Sequence, residues 1–278
     1  MFPRGHVLTN PDFRNLFCCR VLTILSLQAQ AVMVGWYVYE LTHDPLMLGL
    51  MGLVEAIPAI GFAFVAGHVV DTQRPARVYF WSELVLSLSA LLIWATSFEG
   101  LAFSTHTRVG VLFFSVFVSG MVRSFVSPSV FAIVSHVTRP EKMSEASAWN
   151  SSAYQLAAIF GPALGGLLYG HFSPAISFAL PPVGMLAALA LMFNFSPEIK
   201  RMTNPSAREP FLASIRSGID FALQQRALLS TMVLDMFSVL FGGAVAVLPV
   251  FADQVLKSGP SGLGLLRAAP SVGSALIL

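Results

Sequence analysis

Charged residues are scarce in this chain of 278 residues. Lys and Arg number 16 and Asp and Glu 14, so 11% of the side chains are charged, against roughly a quarter in soluble domains. Tyrosine is also rare, with 5 Tyr against 23 Phe, so most aromatic rings have no polar group to place in water. Cys18 and Cys19 are the two cysteines, and adjacent cysteines cannot join distant segments as a disulfide framework or form a zinc site. These deficits argue against a soluble globule, a disordered chain and a nucleic-acid-binding protein.

Apolar residues, in contrast, make up 55% of the sequence, and the mean hydropathy is +0.73. A hydrocarbon core takes about 20 helical residues to cross. Long unbroken apolar runs favour helices over the two-residue alternation of a membrane barrel. The sequence therefore predicts an all-α, polytopic membrane bundle. Its spans are expected at residues 16–39, 46–70, 78–98, 109–130, 146–170, 175–195 and 228–250, with an eighth at 263–278.

The basic residues indicate an orientation for these spans. They concentrate in alternate loops, whereas the opposite loops carry only Arg108 and Lys257. Because basic loops stay in the cytoplasm, we expect the N-terminus to be cytoplasmic. The longest polar stretch, residues 196–225, lies on the same side and includes a segment with apolar residues at helical spacing. It is either an amphipathic helix on the headgroups or a solvated linker helix.

An internal echo suggests two related sets of helices. Residues 52–58 in the second span read GLVEAIP, and residues 264–270 in the eighth read GLLRAAP. Parallel repeats of this kind occur in two-halved transporters. The expected organisation is then an N-terminal six-helix half at 1–195, a cytoplasmic linker at 196–226 and the first two helices of a second half at 227–278. On this interpretation the sequence is truncated or a fragment.

Ionisable side chains inside the predicted spans need a partner, a wet cavity or a function, because each costs at least about 2.5 kcal/mol near mid-membrane. Glu55, Arg123, Asp235 and Arg267 meet this description. Glu55 and Arg267 occupy equivalent positions of the echo and carry opposite charges. We expect them to face each other across a central cavity, as a pair that breaks in one transport state or as a static pair that fixes packing. Asp235 is a candidate for carrying protons.

Glu83 lies near the end of its predicted span. It falls within reach of Arg77, so we expect an ordinary charge at the membrane interface.

The loop after the second span carries a recognisable signature. Residues 67–77 read GHVVDTQRPAR, a Gly and an Asp followed by basic residues, and this pattern resembles the cytoplasmic loop of the major facilitator superfamily. The resemblance implies that Gly67 permits close helix approach, that Asp71 contacts a neighbouring helix, and that Arg74 and Arg77 latch the cytoplasmic side.

The fifth span adds GPALGG at residues 161–166, which resembles part of the antiporter signature of proton-driven exporters. Pro162 removes a backbone donor and bends the helix, while Gly161, Gly165 and Gly166 allow close packing. The segments YELT at 39–42, SPS at 127–129 and PSGLG at 260–264 further resemble the branch of enterobactin-type exporters and drug efflux proteins.

The resemblance implies a bacterial inner-membrane exporter that couples protons to the efflux of a small amphipathic molecule by rocking two halves around a midplane site. It implies no cofactor and no enzymatic activity. The expected partners are the lipid bilayer, protons and the transported molecule, with association between copies of the chain if it is truncated. The alternative is a membrane scaffold or an inactive remnant that does not transport.

Overall fold

The computed structural model describes residues 6–98, 100, 103–202, 220–221, 223–241, 245 and 247–277. This part of the chain is built from helices and turns and contains no strand, so the predicted all-α bundle is confirmed. Single turns at Val7–Thr9, Pro140–Lys142 and Phe251–Val255 accompany the α-helices. The α-helices are α1 Pro11–Thr42, α2 Pro45–Thr72, α3 Pro75–Thr96, α4 Thr105–Val137, α5 Met143–His171, α6 Pro174–Ser177, α7 Leu180–Met192, α8 Pro197–Arg201, α9 Arg226–Phe241, α10 Leu248–Val250 and α11 Gly259–Ile277.

Local sequence signals set where the first helices begin. Asn10 Oδ1 accepts a hydrogen bond from the backbone N–H of Asp12 at 3.0 Å, and Pro11 occupies the first turn of α1, where its missing N–H costs nothing. Asp44 caps α2 in the same way, accepting from Leu46 N at 2.9 Å. Only His43 and Asp44 separate α1 from α2, so the chain reverses at once and the two helices are antiparallel neighbours.

Five helical segments in the described part are long and apolar enough to cross a bilayer. They are Pro11–Thr42, Pro45–Thr72, Pro75–Thr96, Thr105–Val137 and Pro174–Met192. Each matches one of the predicted spans to within a few residues at most ends. The 29-residue α5 is long enough to cross as well, but its first half is polar and includes Asn150 and Gln155.

One predicted span differs in detail from the helices observed. The sixth is broken into α6 and α7 at Phe178 and Ala179, because Pro181 and Pro182 in the first turn of α7 cannot donate backbone hydrogen bonds to the preceding turn. The seventh predicted span includes α9 and α10, and residues 242–244 and 246 between them lie outside the described residues. Most of the predicted amphipathic linker segment lies outside the described residues.

The core runs through the six-helix part and extends to the last helix. One apolar cluster surrounds Tyr79 and Ile133 near the N-terminal end of α1, and another surrounds Val34 and Phe178 towards its C-terminal end. A small third cluster joins Val32 of α1 to Leu263 of α11. Helix α5 packs between α1 and α11, so the last helix is attached to the bundle through α5 and α1.

Candidate functional site: a charged cavity inside the bundle

A cavity of about 340 Å³ opens among α1, α2, α4 and α11. Its wall is largely apolar and carries a few polar groups, the composition typical of small-molecule sites. Three of those groups are charged, and they come from three different helices. The lining residues include Leu27, Gln30 and Val34 of α1, Leu48, Met51 and Glu55 of α2, Val116, Ser119 and Arg123 of α4, and Arg267 of α11.

Glu55 and Arg123 form an ion pair on the α2 and α4 side of this cavity. The pair is possible because α4 approaches α2 closely. A Cβ on Gly120 would collide with the backbone of Glu55, and Ser124 Oγ donates to the carbonyl of Ala59 at 2.9 Å. Arg123 lies three residues after Gly120, one helical turn along, and so reaches the Glu55 carboxylate. Both side chains remain partly exposed to the cavity, 37% for Glu55 and 49% for Arg123.

Arg267 lies on the other wall of the same cavity. Its Nε is buried and has no hydrogen-bond partner among the described residues, while a Cβ on Gly35 of α1 would lie 3.7 Å from one of its terminal nitrogens. The Glu55 charge acts on the guanidinium from across the cavity. The two echoed stretches thus contribute to one cavity, but the ion pair that Glu55 makes in this conformation is with Arg123.

Asp235, the fourth ionisable residue singled out from the sequence, belongs to α9. Its side chain lies outside the described residues.

The glycines of α5 lie at two tight helix crossings. A Cβ on Gly161 would lie 2.9 Å from the Leu25 carbonyl oxygen, and one on Gly165 would lie 2.6 Å from the Ala29 carbonyl oxygen, so both glycines let α5 touch the backbone of α1. These two residues, Pro162 and Gly166 are all buried.

On its other face α5 meets α11. A Cβ on Gly166 would lie 2.7 Å from Gly264 Cα, and a Cβ on Gly264 would lie 2.5 Å from the Pro162 carbonyl oxygen. Gln155 also donates a hydrogen bond to the carbonyl of Ser271. Crossings at which backbone meets backbone leave no room for side chains, which is how glycine-rich membrane helices associate.

The signature loop lies at the far end of α2. Asp71, Arg74 and Arg77 are exposed, and the two arginines border a surface pocket with Phe80 and Lys200. A Cβ on Gly67 would meet nothing within 4 Å among the described residues, so the close approach implied at this glycine does not occur within that part of the chain.

The expectation for Glu83 is wrong. Its side chain is 0% exposed, and its Oε1 lies 2.7 Å from Thr23 Oγ1, within hydrogen-bond distance. Glu83 lies two turns inside α3 and its side chain reaches Thr23 of α1, whereas Arg77 is exposed. Hydropathy reports how apolar a span is but not which helix face a single carboxylate occupies.

A second polar cluster that sequence reasoning missed lies at the opposite end of α1. Tyr39 Oη donates to Asp253 Oδ2 at 3.3 Å and accepts from Gln254 Nε2 at 3.1 Å. These bonds attach the turn Phe251–Val255 to α1. Nearby, Tyr169 Oη donates to Glu40 Oε2 at 2.8 Å and so ties α5 to the same end of α1.

The fold, apolar helices packed around a charged internal cavity, is that of membrane transporters of the major facilitator type. Several solved structures share it, including POT transporters. A peptide transporter POT in complex with sulfate superimposes with a TM-score of 0.60 at 14% identity, covering 90% of this chain and 51% of that one. A POT family transporter in complex with a thioalcohol-conjugated peptide superimposes with a TM-score of 0.58 at 14% identity, covering 86% of this chain and 50% of that one.

Within that class the chain belongs to the family described as transmembrane secretion effector, which matches residues 6–277. It is therefore a multi-pass membrane protein of a transporter family and not an enzyme. This membership confirms the resemblance to the major facilitator superfamily and to its efflux-type branch.

Named relatives share sequence over part of their length. Multidrug resistance protein 2 of Bacillus subtilis (strain 168) is 27% identical over 146 residues, 52% of this chain and 34% of the relative. The enterobactin exporter EntS of Shigella flexneri is 23% identical over 275 residues, 96% of this chain and 62% of the relative. The chain thus spans less than two thirds of the length of these relatives.

Proposed function

We propose that the chain works in a proton-coupled exporter of the bacterial inner membrane, with its N-terminus in the cytoplasm. The exported molecule is small and amphipathic, such as a drug or a siderophore. Two observations support export as the direction of transport and this substrate class. The chain belongs to the secretion effector family, and two relatives are named as a multidrug resistance protein and an enterobactin exporter. The observation that carries the proposal is the charged cavity bounded by α1, α2 and α4 on one side and by α11 on the other.

The cavity supplies a mechanism for alternating access. Glu55 is paired with Arg123, while Arg267 faces the same space with a buried, unpartnered Nε. When the α11 side moves towards α2, Glu55 can exchange Arg123 for Arg267. Such an exchange keeps the Glu55 carboxylate paired and releases a different arginine in each state, so a small change in helix position selects between two arrangements.

The remaining predicted residues take roles around this exchange. Gly161, Pro162, Gly165 and Gly166 seal the contacts of α5 with α1 and α11. Asp235 is proposed to lie on the proton path.

The signature loop is proposed to gate the cytoplasmic end. Its residues are Gly67, Asp71, Arg74 and Arg77. The domain organisation proposed here is a six-helix half at 1–195, a linker at 196–226 and the start of a second half at 227–278.

Transport by inside-out membrane vesicles that contain this chain tests the proposal. Ethidium serves as the drug probe and enterobactin as the siderophore probe. We expect accumulation of at least one probe when a proton gradient is imposed and its loss when a protonophore is added. Glu55→Gln should abolish the accumulation, whereas Glu141→Gln, which alters an exposed turn outside the cavity, should not.

Absence of transport would reject the proposal. A chain that inserts into the vesicles but accumulates neither probe under a proton gradient is a scaffold or an inactive remnant, and the proposed transport function is then rejected.

A further inference from the structure

Four polar side chains form a closed cluster between α1 and α3, separate from the charged cavity. They are Cys19 and Thr23 of α1 and Tyr79 and Glu83 of α3. All four are buried, and Glu83 is 0% exposed. None of them lines the cavity. A carboxyl group in this position has no role in the ion-pair exchange proposed above.

The hydroxyl of Thr23 holds Glu83 in an arrangement that fits two protonation states. Thr23 Oγ1 lies 2.7 Å from Glu83 Oε1 and 2.9 Å from the backbone carbonyl oxygen of Cys19. The hydroxyl has one proton and two acceptor lone pairs, so it cannot donate to both oxygens at once. If Glu83 is ionised, Thr23 donates to it. If Glu83 is protonated, its own O–H donates to Thr23, and Thr23 donates to the Cys19 carbonyl.

The surroundings of the other carboxyl oxygen indicate which protonation state of Glu83 is more stable in this conformation. Glu83 Oε2 is buried without a hydrogen-bond partner among the described residues. The ion pairs formed within those residues are Glu55 with Arg123 and Glu145 with His6, so no cation of the described residues forms an ion pair with Glu83. An ionised carboxylate with one bare oxygen is far more costly in an apolar interior than a neutral carboxyl group with the same bare oxygen.

The groups around Glu83 connect it to three helices. Cys19 and Tyr79 are the titratable side chains that face it, and the charged Arg20 acts on Tyr79. Cys19 Sγ lies 3.3 Å from Tyr79 Oη and donates to the Ala188 carbonyl of α7 at 3.4 Å. Protonation of Glu83 therefore affects side-chain contacts that join α1, α3 and α7.

From this geometry we propose that Glu83 is a proton-binding site of the transport cycle and that Thr23 is its positioning residue. The proposal rests on the proton coupling proposed above. In the conformation described here the carboxyl group holds a proton taken from water. When α1 and α3 separate, water reaches Glu83, the proton leaves to that water and Thr23 donates to the carboxylate. Thr23 lies one turn before Leu27, which lines the cavity, so a movement of α1 affects both places.

Infrared difference spectroscopy of the purified full chain in lipid vesicles tests the site directly. The wild type should lose a protonated-carboxyl C=O band as pH rises, Glu83→Gln should lack that band, and the exposed control Glu141→Gln should retain it. Identical pH-difference spectra for the wild type and Glu83→Gln would overturn the proposal.

Two substitutions of Thr23 test the site without changing the carboxyl group. This test can therefore be made even if Glu83→Gln fails to insert. Thr23→Val removes the hydroxyl and should raise the midpoint of the carboxyl band by about one pH unit, because Thr23 bonds the charged carboxylate more strongly than the neutral carboxyl group. Thr23→Ser keeps the hydroxyl and should restore the wild-type midpoint. Equal midpoints for Thr23→Val and Thr23→Ser would contradict the positioning role.

Transport separates this proposal from the proposed function. If the wild type accumulates ethidium or enterobactin under a proton gradient and Glu83→Gln does so equally well, the proton site is wrong and the exporter stands. If Glu83 titrates as expected but no variant accumulates either probe, the exporter is wrong and the carboxyl group binds a proton outside any transport cycle.

Discussion

The contact between α5 and α1 gives the sharpest stability prediction. Replacing Gly165 by Ala adds a Cβ that would lie 2.6 Å from the carbonyl oxygen and 2.8 Å from the Cα of Ala29, whereas ordinary contacts begin at 3.4 Å. The obstructing atoms are backbone atoms of a fully buried residue in the middle of α1. They cannot rotate away as the end of a flexible side chain would, so α5 must move outward by about 1 Å.

The expected magnitude follows from two opposing effects. Overpacking of this kind costs about 1–3 kcal/mol, while replacing Gly by Ala inside a helix gains about 1 kcal/mol of intrinsic propensity. Gly61→Ala supplies the matched control, because Gly61 is also helical but a Cβ there meets nothing within 4 Å among the described residues. The difference between the two substitutions isolates the steric cost, which should be about 1–3 kcal/mol against Gly165→Ala.

Equilibrium unfolding of the two variants and the wild type in mixed detergent micelles measures this difference. Helix content followed against denaturing detergent gives the free energy of unfolding for each protein. We expect Gly61→Ala to match or exceed the wild type and Gly165→Ala to fall below Gly61→Ala. Equal free energies for the two variants would refute the tight crossing of α5 and α1.

Three further predictions concern other contacts. In a double-mutant cycle, Glu55→Gln and Arg123→Gln should show a coupling of about 1 kcal/mol in unfolding free energy, since both side chains are partly exposed. Purely additive effects would show that the two side chains do not interact. Tyr39→Phe removes the hydrogen bonds to the turn Phe251–Val255 and should speed amide hydrogen exchange there about tenfold, whereas unchanged exchange would contradict this attachment. Asp12→Asn weakens the bond that Asp12 Oδ1 accepts from Ser196 N at 2.9 Å and should lower stability by about 1 kcal/mol, measured by the same unfolding assay, with no loss if the contact is dispensable.

Much of the helical framework could be predicted from composition and punctuation. Apolar runs of sufficient length are a direct consequence of the membrane as solvent, and caps and prolines such as Asp44 and Pro45 mark where helices begin. The break in the sixth span also had a signal, the adjacent Pro181 and Pro182, because neither residue can donate to the preceding turn.

The partners of charged side chains could not be predicted in the same way. Periodicity indicates which residues share a helix face, but the pairing of Glu55 with Arg123 depends on how far α4 slides along α2. Gly120 decides that distance, and nothing in the sequence relates it to Glu55. The burial of Glu83 escaped prediction for the same reason, since it depends on the rotation of α3 against α1.

Access to the charged cavity from each side of the membrane tests the central claim most directly. Ala31 lines the cavity, and Leu53 lies on the exposed apolar face of α2. Each is replaced by Cys in a Cys18→Ala background, which leaves Cys19 buried, and a membrane-impermeant thiol reagent is added to right-side-out or inverted vesicles. We predict that Ala31→Cys is labelled from one side and, under a proton gradient, from the other, while Leu53→Cys stays unlabelled. Labelling of Ala31→Cys that is absent from both sides, or that ignores the gradient, would contradict alternating access to this cavity.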